Sequence, residues 1–166
     1  MVTRRTAATG RAHVVTGGGR GIGRAVTEAL LDEGDSVVVV ERDPDAVPWA
    51  ESHAAGSRLA VVTGSAAEER VAEEAADRAE EAGRLVGWVN NAAVFRDAGL
   101  DTASAREVLD LVELNLAPAL TGCATAVKRF LAAGSGGSIV NVSSHQAQRA
   151  VRGALPYVVA KAPSRG

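Results

Sequence analysis

Thr16-Gly17-Gly18-Gly19-Arg20-Gly21-Ile22-Gly23 lies between two patterns that belong to different secondary structures. Before it runs Ala12-His13-Val14-Val15-Thr16, a short apolar segment with the length of a buried strand. After it, Ala25, Val26, Ala29 and Leu30 recur at helical spacing over Gly23–Glu33, and Gly34 supplies the C-cap. Gly17 can take a tight turn, Gly21 lets backbone approach a ligand, and Gly23 lets the helix pack closely on the strand. The helix N-terminus then offers unpaired N–H groups and the positive end of its dipole to an anion such as a pyrophosphate. A glycine turn without a ligand is the alternative. The strand before, the helix after and a second strand–helix unit beyond favour the ligand.

Outward from this turn the alternation continues. Ser36–Val40 is a β-branched run suited to a strand buried on both faces. Asp43-Pro44-Asp45 breaks it, and a weak helix is expected over Val47–Ala55. Leu59–Val62 reads as the third strand, Glu68–Ala82 as a helix stopped by Gly83, and Leu85–Val89 as the fourth strand, ending at Asn90-Asn91. Ser104–Leu131 reads as a long helix with a kink at Pro118. Ser138–Ser143 is the fifth strand. A loop carrying His145, Gln146 and Gly153 follows, and Pro156 opens a last helix at Tyr157. Alternating strands and helices imply parallel strands with right-handed crossovers, hence an α/β, Rossmann-like, doubly wound parallel sheet. No linker or repeat divides the chain, so residues 1–166 read as one domain.

The chain has 166 residues, 46% of them hydrophobic and 23% charged, with a net charge of −2. That balance is globular and argues against nucleic acid or an anionic membrane as the main partner. Cys123 is the single cysteine, which excludes an internal disulfide and argues against a cysteine-based metal site. His13, His53 and His145 make no metal pattern, although His145 could line a substrate cavity. Met1–Thr6 is basic without an apolar run behind it, so no signal peptide is expected, and the expected location is the cytoplasm. The uncharged stretch Leu114–Val127 is interrupted and shorter than the ~18 apolar residues of a membrane span.

Two groups of residues carry chemistry. Glu41 ends the second strand 18 positions past Gly23 (41 − 23), where an acid would accept from adenosine ribose hydroxyls and repel a 2′-phosphate. Arg20 and Arg42 pull the other way, since either could pair with that phosphate. The balance favours NAD, with NADP as the alternative. Tyr157 and Lys161 stand at i and i+4, which on a helix share one face. A phenol is a weak base at neutral pH, and a nearby cation favours its phenolate, so the pair suits proton transfer. Ser143-Ser144 closes the fifth strand, with Ser144 thirteen positions before Tyr157 (157 − 144).

With these pieces in order, the sequence resembles the short-chain dehydrogenase/reductase family in its short single-domain form. The resemblance runs through Thr16–Gly23, Asn90-Asn91-Ala92-Ala93, Asn115, Gly137–Ser144, and Tyr157 with Lys161. It implies hydride transfer between a nicotinamide cofactor and a small-molecule alcohol or ketone. Tyr157 would be the general acid/base, and Lys161 would favour its phenolate and hold the nicotinamide ribose. Ser144 would bind the substrate oxygen, and Asn115 would anchor a water in a proton relay. Asn90 would brace the sheet. The cofactor set implied is Gly17, Gly19, Arg20, Gly21, Ile22, Gly23, Glu41, Arg42, Asn90, Ala92, Tyr157 and Lys161, with no metal. A homo-oligomer is expected of a full-length form.

Three departures stand out. Gly64 occupies the place where the family carries an acid or Asn for the adenine. Ala93 replaces a glycine, and Val86 stands where aspartate is common. The family also continues past the Tyr157–Lys161 helix with two more strands, so the C-terminal strands are expected to be missing here. Pro163 would interrupt that helix. One restored base would turn Ala162-Pro163-Ser164-Arg165-Gly166 into Ala-Ala-Ile-Glu-Gly, so a frameshift is the expected origin of this end. An isolated chain with an uncovered fifth strand is expected to be poorly soluble or oligomeric. The alternative to an enzyme is a truncated, catalytically inactive dinucleotide-binding remnant. An extended-type sugar epimerase or dehydratase is argued against by the spacing Gly17-x-x-x-Gly21-x-Gly23.

Overall fold

A computed structural model describes residues 10–149 and 152–162. Pro163 and the basic segment Met1–Thr6 lie outside the described residues. Five parallel strands form one sheet in the order β3-β2-β1-β4-β5. They are β1 (Arg11–Thr16), β2 (Ser36–Glu41), β3 (Leu59–Thr63), β4 (Arg84–Asn90) and β5 (Ser138–Asn141). The helices are α1 (Gly21–Asp32), α2 (Pro48–Glu51), α3 (Glu69–Ala82), α4 (Ala105–Ala132) and α5 (Leu155–Lys161). The doubly wound parallel sheet expected from the alternation is what forms.

The period-two alternation of strand side chains divides the core in two. Val14, Val38 and Val40 meet the alanine-rich face of α3 and residues of α4, including Ala126 and Phe130. Val15, Val37 and Val39 pack on the other face with Leu31, Val26 and Leu30 of α1 and with Trp49. The five buried residues Val71, Ala72, Ala75, Ala76 and Ala79 leave α3 with short side chains, so it can lie close to the sheet. The chain winds outward from β1 to β3, then returns to place β4 on the other side of β1. Ligands in such sheets bind at that reversal, beyond the C-terminal strand ends.

Two elements are shorter than expected. The Val47–Ala55 helix is a single turn, Pro48–Glu51, because the segment before it forms its own 3₁₀ turn over Pro44–Ala46, capped by Asp43. The fifth strand ends at Asn141 rather than Ser143. The Val142 N–H still reaches Asn90 O at 2.9 Å, but its carbonyl accepts from Lys161 Nζ at 2.9 Å, and the chain turns away. Helix α4 runs as one helix through Pro118. A capping box between Ser104 and Glu107 fixes its start. Among the described residues, no helix is long and apolar enough to cross a membrane.

Candidate functional site

The C-terminal ends of four strands enclose a cleft of about 660 Å³. Its wall takes Gly17 and Arg20 from the loop after β1, Ile22 from the first turn of α1, and Glu41 to Pro44 from the end of β2. Gly64, Ser65 and Ala66 follow β3, Asn91 to Val94 follow β4, and Leu114 and Pro118 come from α4.

The glycine turn is built for close approach. Gly17 has φ +67°, and a β-carbon there would lie 2.9 Å from Ala92 Cα. A β-carbon on Gly23 would overlap the Gly17 carbonyl oxygen and stand 2.5 Å from Asn91 Nδ2. Gly21 has φ +56° and open space around it. Asn91 locks the turn: its Nδ2 donates to Thr16 O at 3.1 Å and to Gly17 O at 2.9 Å. Thr16 Oγ1 in turn accepts from the Asn91 and Ala92 N–H groups, each at 3.1 Å. Asn91, rather than Asn90, therefore joins β4 to the turn.

Both backbone groups of the Gly19 residue are held from the β2 side. Its N–H donates to Glu41 Oε2 at 3.1 Å, and its carbonyl accepts from Trp49 Nε1 at 3.0 Å. The Arg24 guanidinium lies 4.6 Å from the Trp49 ring centroid, a cation–π contact that steadies the indole. Glu41 Oε1 accepts from the Arg42 and Asp43 N–H groups at 2.9 and 3.2 Å, which aims the carboxylate toward the glycine turn. At Gly64 a β-carbon would come within 2.7 Å of Val71 Cγ2, so the glycine lets α3 sit close against this strand end. The Gly64 N–H is committed to Glu41 O at 2.9 Å.

The second cluster gathers where β5 meets α5. Lys161 is buried, and its Nζ donates to Val142 O. Burial pushes its ammonium below the ordinary lysine value, and among the described residues no carboxylate pairs with it. Lys161 Nζ lies 5.8 Å from the centroid of the Tyr157 ring. Phe95, half exposed, meets the same ring edge-on with centroids 5.5 Å apart. Ser143 Oγ donates to Lys161 O at 3.3 Å, tying the strand end to the helix. Ser144 Oγ accepts from Gln146 N at 3.2 Å and caps the next turn. His145 is exposed in that turn and does not line the cleft.

Two asparagines act as braces. Asn115 is buried in α4; its Oδ1 accepts from Val94 N at 2.8 Å and its Nδ2 donates to Leu111 O at 2.9 Å. It therefore positions the cleft loop after β4. Asn90 is buried beneath the cleft and does not line it. Its Oδ1 accepts from Trp88 Nε1 at 3.0 Å, and its Nδ2 donates to Asn141 Oδ1 at 2.9 Å. Asn90 thus ties β4 to β5 through Asn141.

The sequence reading gives no site role to Trp49, Asn91, Asp43 or Phe95, although it names Asn91 in the turn after the fourth strand and Asp43 as a strand breaker. Trp49 and Phe95 belong to a small aromatic set, 3% of the chain, and that scarcity was the available signal.

A model of the family described as short chain dehydrogenase matches residues 11–166. An uncharacterized oxidoreductase of Mycobacterium tuberculosis is 34% identical, over 90% of this chain and 58% of its own. The short-chain reductase protein NovJ of Streptomyces niveus is 35% identical, over 92% of this chain and 59% of its own. The crystal structure of a short-chain dehydrogenase from Streptomyces avermitilis superposes with a TM-score of 0.78 at 28% identity, covering 92% of this chain and 57% of that one. The chain spans about three fifths of the length of the curated relatives it matches.

Proposed function

The chain belongs to the short chain dehydrogenase family, and on that premise we propose that residues 1–166 form one NAD-dependent oxidoreductase domain acting on a small-molecule alcohol or ketone. The cleft suits a dinucleotide. Gly17 and Gly23 leave no room for a side chain, so backbone rather than side chains faces the ligand at the N-terminus of α1. Glu41 at the end of β2 supports NAD over NADP, since it stands in the same wall as the glycine turn and carries negative charge. Gly17, Gly19, Arg20, Gly21, Ile22, Gly23, Glu41, Arg42 and Ala92 would hold the cofactor.

When bound, the nicotinamide supplies or accepts the hydride. The chain's own residues do the rest. Tyr157 gives or takes the proton at the substrate oxygen through its hydroxyl. Lys161 holds positive charge beside that ring, and Ser144 steadies the substrate oxygen. Asn115 fixes the wall at Val94. The observation that carries this reading is Lys161: a buried lysine with no acid partner among the described residues, four positions after Tyr157 and over its ring. Burying a cation without a carboxylate is costly, so its retention calls for a use. A bare dinucleotide binder would not need this cluster. The exposed residues Leu109, Leu120, Val127 and Leu131 lie within about 40° of one another around α4. They support a homo-oligomer.

The test is turnover on a panel of secondary alcohols, followed by nicotinamide reduction, with Tyr157→Phe alongside. The reading predicts a loss of about 10²-fold or more in Tyr157→Phe, the usual contribution of a general acid/base. Equal turnover in both proteins would refute it.

A further inference from the structure

We infer that Asp43 is a specificity-determining residue that disfavours 2′-phosphorylated dinucleotides by occupying Arg20; this rests on the dinucleotide reading of the cleft. Arg20, Glu41, Arg42 and Asp43 all line the cleft and alternate in sign, so their formal charges cancel. Arg20 is the natural phosphate ligand among them. It sits at the N-cap of α1, its side chain is 78% exposed, and a guanidinium matches two phosphate oxygens at once. Its Nη2 instead meets Asp43 Oδ2 at 3.4 Å, its one ion-pair partner among the described residues.

The acid, not the arginine, sets the geometry of this pair. Asp43 Oδ1 accepts from Asp45 N at 3.1 Å, and the Asp43 N–H donates to Glu41 Oε1 at 3.2 Å. The carboxylate is thus anchored by its own turn, with Oδ2 left to draw the long, mobile side chain of Arg20. A 2′-phosphate arriving here would face Glu41 and Asp43 and would have to win Arg20 away. Removing the Asp43 charge frees Arg20 and leaves two cations facing one acid. Glu41 acts on the ribose directly, whereas Asp43 acts through Arg20, so the two devices are separable.

The experiment titrates NADH and NADPH into wild-type chain, Asp43→Asn and the double variant Arg20→Gln/Asp43→Asn, by cofactor fluorescence. Asparagine keeps an oxygen for the Asp45 N–H, so the turn survives. The proposal predicts that the NADPH-to-NADH ratio of Kd falls by about twofold to fivefold in Asp43→Asn, the scale of an exposed ion pair. The gain disappears in the double variant, and it shrinks at high salt because both charges are exposed. A ratio unchanged in Asp43→Asn, or a gain that persists without Arg20, overturns the proposal and leaves the NAD reading standing. Failure of wild type to bind either dinucleotide overturns both.

Discussion

Replacing Gly23 with alanine probes the glycine turn through one added methyl. The β-carbon would overlap the Gly17 carbonyl oxygen and reach 2.5 Å from Asn91 Nδ2 and 2.9 Å from the Gly17 carbonyl carbon. Two of these neighbours are backbone, so no flexible side chain can swing aside, and α1 must move by about 1 Å to regain ordinary contact. Overpacking of this kind costs about 1–3 kcal/mol. Displacing Asn91 also loses at least one of its bonds to Thr16 O and Gly17 O, each worth about 1 kcal/mol. Alanine returns about 1 kcal/mol as a better helix residue than glycine. The net loss is about 2 kcal/mol, a fall in Tm of about 4–8 °C for a domain of this size. Gly21→Ala is the control. Its β-carbon meets nothing, so the cost is only the strain of φ +56°, about 1 kcal/mol. Thermal melts of the three proteins, paired with NADH titration, check the reasoning. Gly23→Ala should melt lowest and bind NADH at least about tenfold more weakly. A Gly23→Ala protein that melts and binds like wild type would refute the close-packing argument.

Trp49→Phe keeps a ring for Arg24 but removes the N–H that holds Gly19 O. It should cost about 1 kcal/mol in denaturant unfolding and weaken NADH by a few-fold. In acid, Asp35 should be one of the groups that lets the fold go. Burial pushes its carboxyl up, but hydrogen bonds from Arg11 and His13 outweigh this and hold it below the ordinary range. Its unfolded form therefore binds a proton first, so its contribution is present above about pH 4 and is lost as pH falls through its lowered native value. Denaturant melts across that range should show a shallower acid slope in Asp35→Asn. Leu120→Glu, placed in the exposed apolar row of α4, should lower the apparent mass by light scattering if that row joins copies of the chain.

The fold was legible because its signals are local. Val37 to Val40 is a β-branched run too short for a helix and bounded by breakers, Gly34 and Gly83 stop helices where expected, and the alternation leaves few topologies. The meeting of the fifth strand and the last helix followed from the same pattern, but the serine that reaches the helix is Ser143, on Lys161 O, whereas the expected Ser144 caps the next turn. What escaped was contact across distance. Trp49 and Gly19 are 30 residues apart in the chain, and nothing in either segment announces an indole on a glycine carbonyl. Asn90 and Asn91 are adjacent and chemically identical, so only strand alternation decides which faces the cleft and which the sheet interior. The early end of the fifth strand has the same origin. Lys161 takes the Val142 carbonyl from 19 positions further along the chain, a competition no strand propensity encodes.

The central claim, that these four strand ends hold a nicotinamide dinucleotide, is tested most directly by titrating NADH into the wild-type chain and following its fluorescence. The account predicts saturable binding at one site, with NADPH weaker. A fluorescence that rises only in proportion to added NADH, with no saturation, would contradict it.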